Sequence, residues 1–191
     1  MTEIVLFHHA QGLTGGLVAL ADRLQFAGHT VHLPDVYGGA TFADLESGLD
    51  YAGSVGFDTL LEQAVAATEG LPADVVYLGV SLGVMPAQQL AQNRAGARAA
   101  VLVGSAVPAE AFGSWPAGLP LQIHGMDADP IFVGEGDIDA ARELVAEAGA
   151  ELFLYPGEGH LFVDNSLPDY DENATELFLE RTLALLERVG P

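Results

Sequence analysis

The sequence predicts an α/β fold in which helices cover both faces of a doubly wound, mostly parallel β-sheet. Short, uninterrupted apolar runs, such as residues 4–7 and 75–78, are typical of strands that are buried on both faces. Segments with helical periodicity lie between these runs, and glycine or proline separates the two kinds of segment. Because the chain has 191 residues, we expect residues 1–191 to form one domain.

The first βαβ unit is predicted near the N-terminus. Residues 4–7 form the first strand, and a glycine-rich turn over residues 11–16 leads into a helix that Gly28 ends. Residues 30–33 form the second strand. The apolar face of the helix consists of Leu17, Leu20, Leu24 and Ala27.

Strands and helices continue to alternate along the rest of the chain. Four further strands are predicted over residues 75–78, 99–103, 119–123 and 151–155. Helices are predicted over residues 57–69, 82–94, 137–148 and about 173–188, and residues 36–56 form loop and short helix. Asp137 is expected to cap the third of these helices. In such a sheet ligands bind beyond the carboxyl ends of the strands, so the residues that directly follow strands are the candidates for chemistry.

The segment Gly-Val-Ser-Leu-Gly at residues 79–83 has the sequence and the surroundings of a nucleophile elbow, since it lies between a buried strand and a helix. An elbow holds Ser81 in a strained turn with room for small residues alone on either side, and Gly79 and Gly83 meet that need. The turn exposes the serine hydroxyl at the sheet edge and directs a helix N-terminus at a developing oxyanion. The alternative interpretation is a glycine-rich strand-to-helix turn without chemistry.

A serine nucleophile needs a base, because its free hydroxyl reacts poorly at neutral pH. Of the six histidines, His160 follows the last predicted strand, in a loop whose glycines allow its ring to reach the sheet edge. Asp127 and Asp129 compete for the acid that orients this base, and Pro130 favours Asp129 because it fixes the chain as it leaves the loop. The order Ser, Asp, His is that of α/β-hydrolases. The sequence therefore predicts Ser81, Asp129 and His160 as a catalytic triad.

The loop after the first strand, residues 7–12, lies next to the elbow in such a fold, and its amides are expected to complete an oxyanion hole. We expect the backbone N–H groups of Ala10 and Leu82 to be the donors. His8 and His9 are adjacent in this loop, but no carboxylate has ligand spacing to them, so no metal site is predicted. The glycine-rich turn that follows misses the G-x-G-x-x-G pattern, and no cofactor is predicted.

The charge of the chain excludes two classes of partner. Six basic and 27 acidic residues give a net charge of −21, and such a field repels nucleic-acid backbones and anionic membrane surfaces. No apolar stretch approaches the roughly 20 residues of a membrane span, and the N-terminus lacks the basic start of a secretory signal. We therefore expect a soluble, cytoplasmic protein that acts on a small molecule, and the sequence leaves its oligomeric state open. The absence of cysteine excludes disulfides, cysteine-ligated zinc and thiol nucleophiles.

On these residues the chain resembles the dienelactone hydrolase family over nearly its whole length. The segments that carry the resemblance are Val-Leu-Phe-His-His-Ala-Gln-Gly-Leu (5–13), Ala-Asp-Arg-Leu (21–24) with Gly28, Pro-Asp-Val-Tyr-Gly-Gly (34–39), Gly-Val-Ser-Leu-Gly (79–83), Asp-Pro (129–130) and Gly-His-Leu-Phe (159–162). The resemblance implies an α/β-hydrolase fold and hydrolase activity. It places the family triad on Ser81, Asp129 and His160, and the oxyanion amides on Ala10 and Leu82.

The chain departs from the best-known members of the family at three functional positions. Ser81 stands where they have a cysteine nucleophile, and His9 stands where they have a glutamate that gates the thiolate. Asp164 stands where they have an arginine that holds a substrate carboxylate, and an acidic residue there would repel such a substrate. The chain is also short for the family, so no cap domain is expected. We therefore expect a serine esterase that cleaves a small, neutral ester, lactone or thioester rather than dienelactone itself.

Five residues are expected to form the substrate pocket. They are His9, Tyr37, Phe112, Trp115 and Phe162. Ordinary core packing is the alternative for the four aromatic side chains among them. Two other functions remain open: a catalytically silent protein that binds a ligand or partner, which the residues at positions 9 and 164 favour, and an acyltransferase that passes the acyl group to an alcohol.

Overall fold

The computed structural model describes residues 1–190 and contains one sheet of six parallel strands. The strands are β1 (Glu3–Phe7), β2 (Thr30–His32), β3 (Val75–Val80), β4 (Ala99–Val103), β5 (Leu121–Met126) and β6 (Glu151–Tyr155). Their order across the sheet is β2-β1-β3-β4-β5-β6, so the chain moves outward from β1 to β2 and then builds the rest of the sheet on the other side of β1. This reversal makes the carboxyl ends of β1 and β3 the topological switch point, where open α/β sheets bind ligands.

Six α-helices accompany the sheet. They are α1 (Gly15–Phe26), α2 (Leu45–Val55), α3 (Phe57–Ala66), α4 (Val84–Asn93), α5 (Asp137–Ala148) and α6 (Glu172–Val189). One apolar cluster packs α1 and α6 against one face of the sheet, and a second cluster packs α4 and α5 against the other. The predicted doubly wound α/β fold is therefore confirmed, and no cap domain covers it within residues 1–190. None of the helices in this part of the chain combines the length and the apolar character that a membrane crossing needs.

Strand β1 explains why the strands of this protein are continuous apolar runs. Alternate side chains of a strand point to opposite faces of the sheet. Ile4 and Leu6 pack in the cluster beneath α1 and α6, whereas Val5 and Phe7 pack in the cluster beneath α4 and α5. Because both faces are buried, both sets of positions need apolar residues.

The strand predicted over residues 119–123 lies further along the chain than expected. Strand β5 begins at Leu121, because Pro120 has no N–H to donate to the ladder. The strand continues to Met126 through His124, which is fully buried and lies 2.8 Å from the hydroxyl of a tyrosine in β6. A histidine that a neighbouring strand satisfies in this way cannot be distinguished from a loop residue by hydropathy alone.

Several helix ends also differ from the prediction. The helix after the elbow starts with a 3₁₀ turn, Ser81–Gly83, before it becomes α-helical. Gly136, and not Asp137, is the N-cap of α5, and Asp137 is its first residue. Ala27 follows α1 as an exposed C-cap residue rather than extending its apolar face, and α3 ends at Ala66. Helix ends depend on capping and tertiary contacts as much as on periodicity, which accounts for shifts of this size.

Candidate active site

The elbow after β3 has the strained backbone that its sequence predicts. Ser81 has φ of 51° and is the one non-glycine residue with positive φ among residues 1–190. A Cβ atom on Gly79 would lie 2.2 Å from the carbonyl oxygen of Gly83, and a Cβ atom on Gly83 would lie 2.4 Å from the carbonyl oxygen of Phe7. Both positions therefore require glycine. A non-glycine residue at such φ costs about 1–3 kcal/mol, and the surrounding packing holds it there.

Three polar side chains meet at this point in one line of hydrogen bonds. The Oγ atom of Ser81 lies 2.8 Å from Nε2 of His160, and Nδ1 of His160 lies 2.7 Å from Oδ2 of Asp129. His160 and Asp129 are 4% and 1% exposed. The carboxylate oxygen accepts, so Nδ1 carries the proton and Nε2 has its lone pair directed at the serine hydroxyl. The structure thus brings together the three side chains that the sequence predicts as a triad.

The two candidate acids after β5 have separate positions and separate partners. Asp129 is buried beside the imidazole, and its Oδ1 atom also accepts a hydrogen bond of 2.8 Å from the amide of Ile131. Asp127 is exposed, and its Oδ1 atom accepts a hydrogen bond of 3.0 Å from the amide of Gly157. Asp127 therefore anchors the loop that carries His160 and does not contact the ring.

Two glycines let the imidazole take this position. A Cβ atom on Gly159 would lie 2.4 Å from the carbonyl oxygen of Asp169, so the histidine loop packs too closely for a side chain. Gly104, which follows β4, has φ of 73°, and a Cβ atom there would lie 3.3 Å from Cε1 of His160. Gly104 is not among the residues predicted at the site, because its only signal in the sequence is a glycine at the end of a buried strand.

The loop after β1 packs against the start of the elbow helix. The backbone of this loop at Phe7 and His8 lies so close to Gly83 that no Cβ atom would fit there. Ala10 is fully buried, and Gly48 of α2 lies against its carbonyl group. Leu82 is partly buried and lines the cavity that contains the serine hydroxyl. The two expected oxyanion donors therefore lie on segments that are packed against each other.

His8 and His9 each use both ring nitrogens within the protein. Nδ1 of His8 lies 2.8 Å from the carbonyl oxygen of His9, and the amide of Val36 donates to Nε2 of His8 at 3.3 Å. Burial lowers the pKa of His8, which keeps this ring neutral. Nε2 of His9 lies 2.9 Å from Oδ2 of Asp164, and the amide of Gln11 donates to its Nδ1 at 3.2 Å. Neither ring has a nitrogen left for a ligand.

Asp164 joins the loop after β1, helix α1 and the histidine loop. Its carboxylate accepts hydrogen bonds from His9, from the hydroxyl of Thr14 and from both the amide and the hydroxyl of Ser166. Burial alone would raise the pKa of Asp164, but these hydrogen bonds lower it to about 2. Gly16 has no room for a Cβ atom against this carboxylate. The residues at two of the positions that depart from the family pattern, 9 and 164, are thus bonded to each other inside the protein.

A cavity of about 310 Å³ opens beside the Ser81 hydroxyl. Its walls are mainly apolar, and α3 contributes four of the lining residues, more than any other helix or strand. The apolar residues that α3 contributes are Phe57, Leu60, Leu61 and Ala64, and Val36 and Met85 also line the cavity. Its polar side chains are Ser81, His8, Ser105 and Asp137, and no arginine is among its lining residues in the described part of the chain. Mainly apolar molecules of modest size fit such a cavity.

None of the five predicted pocket residues lines this cavity, so the predicted walls are corrected. Phe162 is fully buried between aromatic side chains of the core, and Tyr37 packs edge-on against His8 and Tyr51, with burial raising its pKa to about 12. Trp115 donates its indole N–H to the carbonyl of Leu119. The other two predicted residues, Phe112 and His9, are also absent from the cavity lining. Phe162 and Tyr37 thus follow the alternative interpretation, in which the aromatic side chain packs within the protein.

Comparisons with known proteins agree with the geometry. The sequence model of the dienelactone hydrolase family matches residues 1–190. No curated protein sequence matches the chain. A dienelactone hydrolase-like promiscuous phosphotriesterase from metagenomic libraries is 20% identical, with a TM-score of 0.74 over 99% of this chain and 87% of that chain.

Two further solved structures resemble the chain along its length. The dienelactone hydrolase from Anabaena variabilis is 19% identical, with a TM-score of 0.68 over 98% of this chain and 86% of that chain. An alpha/beta-superfamily protein from Xanthomonas campestris pv. campestris is 25% identical, with a TM-score of 0.61 over 96% of this chain and 99% of that chain. With its parallel sheet, its elbow and a family match that spans nearly every residue, the chain belongs to the dienelactone hydrolase family.

Proposed function

We propose that the protein is a serine hydrolase that cleaves a small carboxylic ester, lactone or thioester through an acyl-enzyme intermediate. The observation that carries this proposal is the line of hydrogen bonds from Ser81 through His160 to Asp129. A hydroxyl bonded to an imidazole that a carboxylate orients is the arrangement that activates serine in acyl transfer. The hydroxyl opens into a cavity, so a carbonyl carbon has room to approach it.

The reaction proceeds in two halves. Ser81 Oγ attacks the carbonyl carbon while Nε2 of His160 takes its proton, and Asp129 stabilises the imidazolium that forms. The tetrahedral intermediate collapses, and His160 gives the proton to the leaving group, at the oxygen of an alcohol or the sulfur of a thiol. Water then attacks the acyl-serine, His160 takes a proton from it, and the acid leaves as Ser81 regains its hydrogen.

The amides of Ala10 and Leu82 stabilise the oxyanion in this proposal. In residues 1–190, the amide of Ala10 donates no hydrogen bond to another backbone group, although the residue is fully buried. Buried amides normally have a partner, so an unpaired one at the switch point favours a ligand oxygen as its acceptor. Loss of one oxyanion donor typically lowers kcat by about 10²–10³.

The proposal is tested by removing the nucleophile. Ser81→Ala is expected to lower the hydrolysis of p-nitrophenyl acetate by about 10⁶, the effect of the nucleophile in a comparable triad, while the fold remains. A fluorophosphonate probe is expected to label the wild-type protein at Ser81 and to leave the variant unlabelled.

Ser54→Ala is the matched control, since Ser54 lies on exposed α2 and its hydroxyl bonds only to the carbonyl of Tyr51 in its own helix. It is expected to hydrolyse the ester at the wild-type rate. Hydrolysis that persists in Ser81→Ala, or a wild-type protein that does not react with the probe, would contradict the proposal. The second result would instead favour a protein that binds a ligand without turning it over.

A further inference from the structure

Two polar side chains on different elements meet in the wall of the cavity beside Ser81. Ser105 follows β4, and Asp137 is the first residue of α5. The hydroxyl of Ser105 donates a hydrogen bond to Oδ2 of Asp137, and both residues line the cavity. Ser105 directly follows Gly104, against which the ring of His160 packs, so this pair lies close to the reacting groups.

Asp137 is the one acidic side chain among the residues that line the cavity, and it has no cationic partner in residues 1–190. His8 is the other titratable residue of the lining. Burial lowers its pKa, so its ring stays neutral. Three of the arginines are paired with surface carboxylates elsewhere on the protein. The carboxylate therefore carries the formal charge of an otherwise uncharged cavity.

A carboxylate on an apolar wall discriminates between ligands by their charge. It repels an anionic group and attracts a cationic one, and because Asp137 is partly buried the attraction is stronger than between two fully solvated charges. The net charge of −21 adds to this field and favours the approach of cations. An uncharged apolar ligand leaves the carboxylate without a cationic partner, whereas an ammonium group pairs with it.

We propose that Asp137, held by Ser105, selects substrates whose acyl portion ends in a cationic ammonium group joined to the ester by an apolar spacer. This inference deepens the proposed function and rests on it, since it takes the cavity as the place where the acyl chain lies. The apolar side chains of α3 contact the spacer, and the carboxylate pairs with the charge at its end. Asp137 is thus a specificity-determining residue.

The test compares matched pairs of p-nitrophenyl esters. One ester of each pair carries a trimethylammonium group at the end of three to five methylene groups, and the other carries a tert-butyl group of nearly the same shape. The quantity measured is the ratio of kcat/KM for the cationic ester to kcat/KM for the neutral one. The wild-type ratio is expected to exceed about 10 for at least one spacer length, which is the scale of a single partly desolvated charge pair.

Two variants separate a local contact from the general field of an acidic protein. Asp137→Asn keeps an oxygen that accepts from Ser105 but removes the charge, and its ratio is expected to fall severalfold, to the value that the general field of the protein alone gives. Asp139→Asn removes one charge from the same turn of α5, where Asp139 is exposed and paired with Arg142 outside the cavity. Its ratio is expected to remain that of the wild type.

A wild-type ratio near 1 at every spacer length, or an Asp137→Asn ratio equal to that of the wild type, would overturn the inference. Equal falls in both variants would do so as well, because they would assign the preference to the general field. Binding of the same ester pairs to Ser81→Ala, measured by calorimetry, keeps this inference separate from the proposed function. Cation preference in binding without wild-type hydrolysis would contradict the proposed function alone, whereas hydrolysis without any preference would contradict this inference alone.

Discussion

The molecule contains two buried histidine–carboxylate couples that have nearly the same bond length and different surroundings. In one couple, 2.7 Å separates His160 from Asp129, and in the other 2.9 Å separates His9 from Asp164. The second nitrogen of His160 lies 2.8 Å from the hydroxyl oxygen of Ser81, and Ser81 lines a cavity. The second nitrogen of His9 is occupied by a backbone amide. The first couple can accept a proton from a reacting group, whereas the second has no free site to do so.

The carboxylates of the two couples differ in the same way. Asp129 accepts from the imidazole and from one amide, so its main task is to orient the ring. Asp164 accepts from His9 and from groups of two other residues, so it joins three segments of the chain. Residue type and distance are therefore insufficient to assign a catalytic role, because the remaining hydrogen bonds decide whether a couple reacts or supports.

The largest expected difference between the couples is in turnover. Asp129→Asn is expected to lower kcat by about 10⁴, the effect of this change in a comparable triad, because the amide no longer holds the imidazole in the tautomer that accepts the serine proton. Asp164→Asn is expected to lower kcat far less. Its main effect is on the free energy of unfolding, since the new amide N–H groups face donors, and each unpaired buried group costs about 1–3 kcal/mol.

Steady-state kinetics on p-nitrophenyl acetate and urea unfolding of both variants measure these two effects. The expected result is a crossed pattern, in which the variant with the larger loss of kcat has the smaller loss of stability. Equal losses of kcat in both variants would contradict this distinction, because they would mean that His9 and Asp164 also take part in the reaction.

The parts of the site that the sequence predicted are those that a local pattern determines. The elbow requires glycine at positions 79 and 83 because backbone lies against both, and this requirement is visible in five consecutive residues. Ser81, Asp129 and His160 follow β3, β5 and β6, and this order reflects the topology of the sheet, which the alternation of strands and helices also indicates.

The parts that the sequence did not predict depend on contacts between distant segments. The bond between His9 and Asp164 joins residues 155 positions apart, so each residue alone reads as a departure from the family pattern. Four of the residues that line the cavity come from α3, which in sequence resembles any helix with one apolar face. Whether an apolar residue faces the core or a cavity is decided by the elements packed around it, and periodicity carries no information on that.

A third buried histidine sharpens the comparison because it has no carboxylate partner. His124 lies between the hydroxyl of Tyr155 and the side-chain oxygen of Gln122. Burial, with a smaller contribution from Arg181, lowers its pKa from 6.5 to about 3. His124 is therefore protonated below about pH 6.5 in the unfolded chain but only below about pH 3 in the folded protein. The free energy of unfolding accordingly falls as the pH falls through this range.

The expected loss from His124 is about 4 kcal/mol when the pH falls from 7 to 3, since each unit of pKa difference corresponds to about 1.4 kcal/mol and the folded histidine is half protonated at pH 3. Urea unfolding of the wild type and of His124→Gln over this range measures it. The variant loses packing at every pH, but the slope of its stability against pH is expected to be shallower than that of the wild type. Parallel slopes would show that another group dominates acid unfolding.

The smallest of these effects is expected at the couple that does not react. The pKa of Asp164 is about 2 in the folded protein against an ordinary value of 3.8, because burial, which opposes ionisation, is outweighed by the hydrogen bonds from His9, Ser166 and Thr14. Its contribution to stability is therefore complete above about pH 4 and is lost as the pH falls towards 2, an amount of about 2 kcal/mol.

The difference in unfolding free energy between wild type and Asp164→Asn is expected to shrink by that amount over this range. Asp50→Asn, a change at an exposed position of α2, is expected to differ from the wild type by the same small amount at both ends of the range. A constant difference for Asp164→Asn as well would mean that the carboxylate of the second couple is not held ionised by its neighbours, and the contrast with Asp129 would then rest on the position of the serine alone.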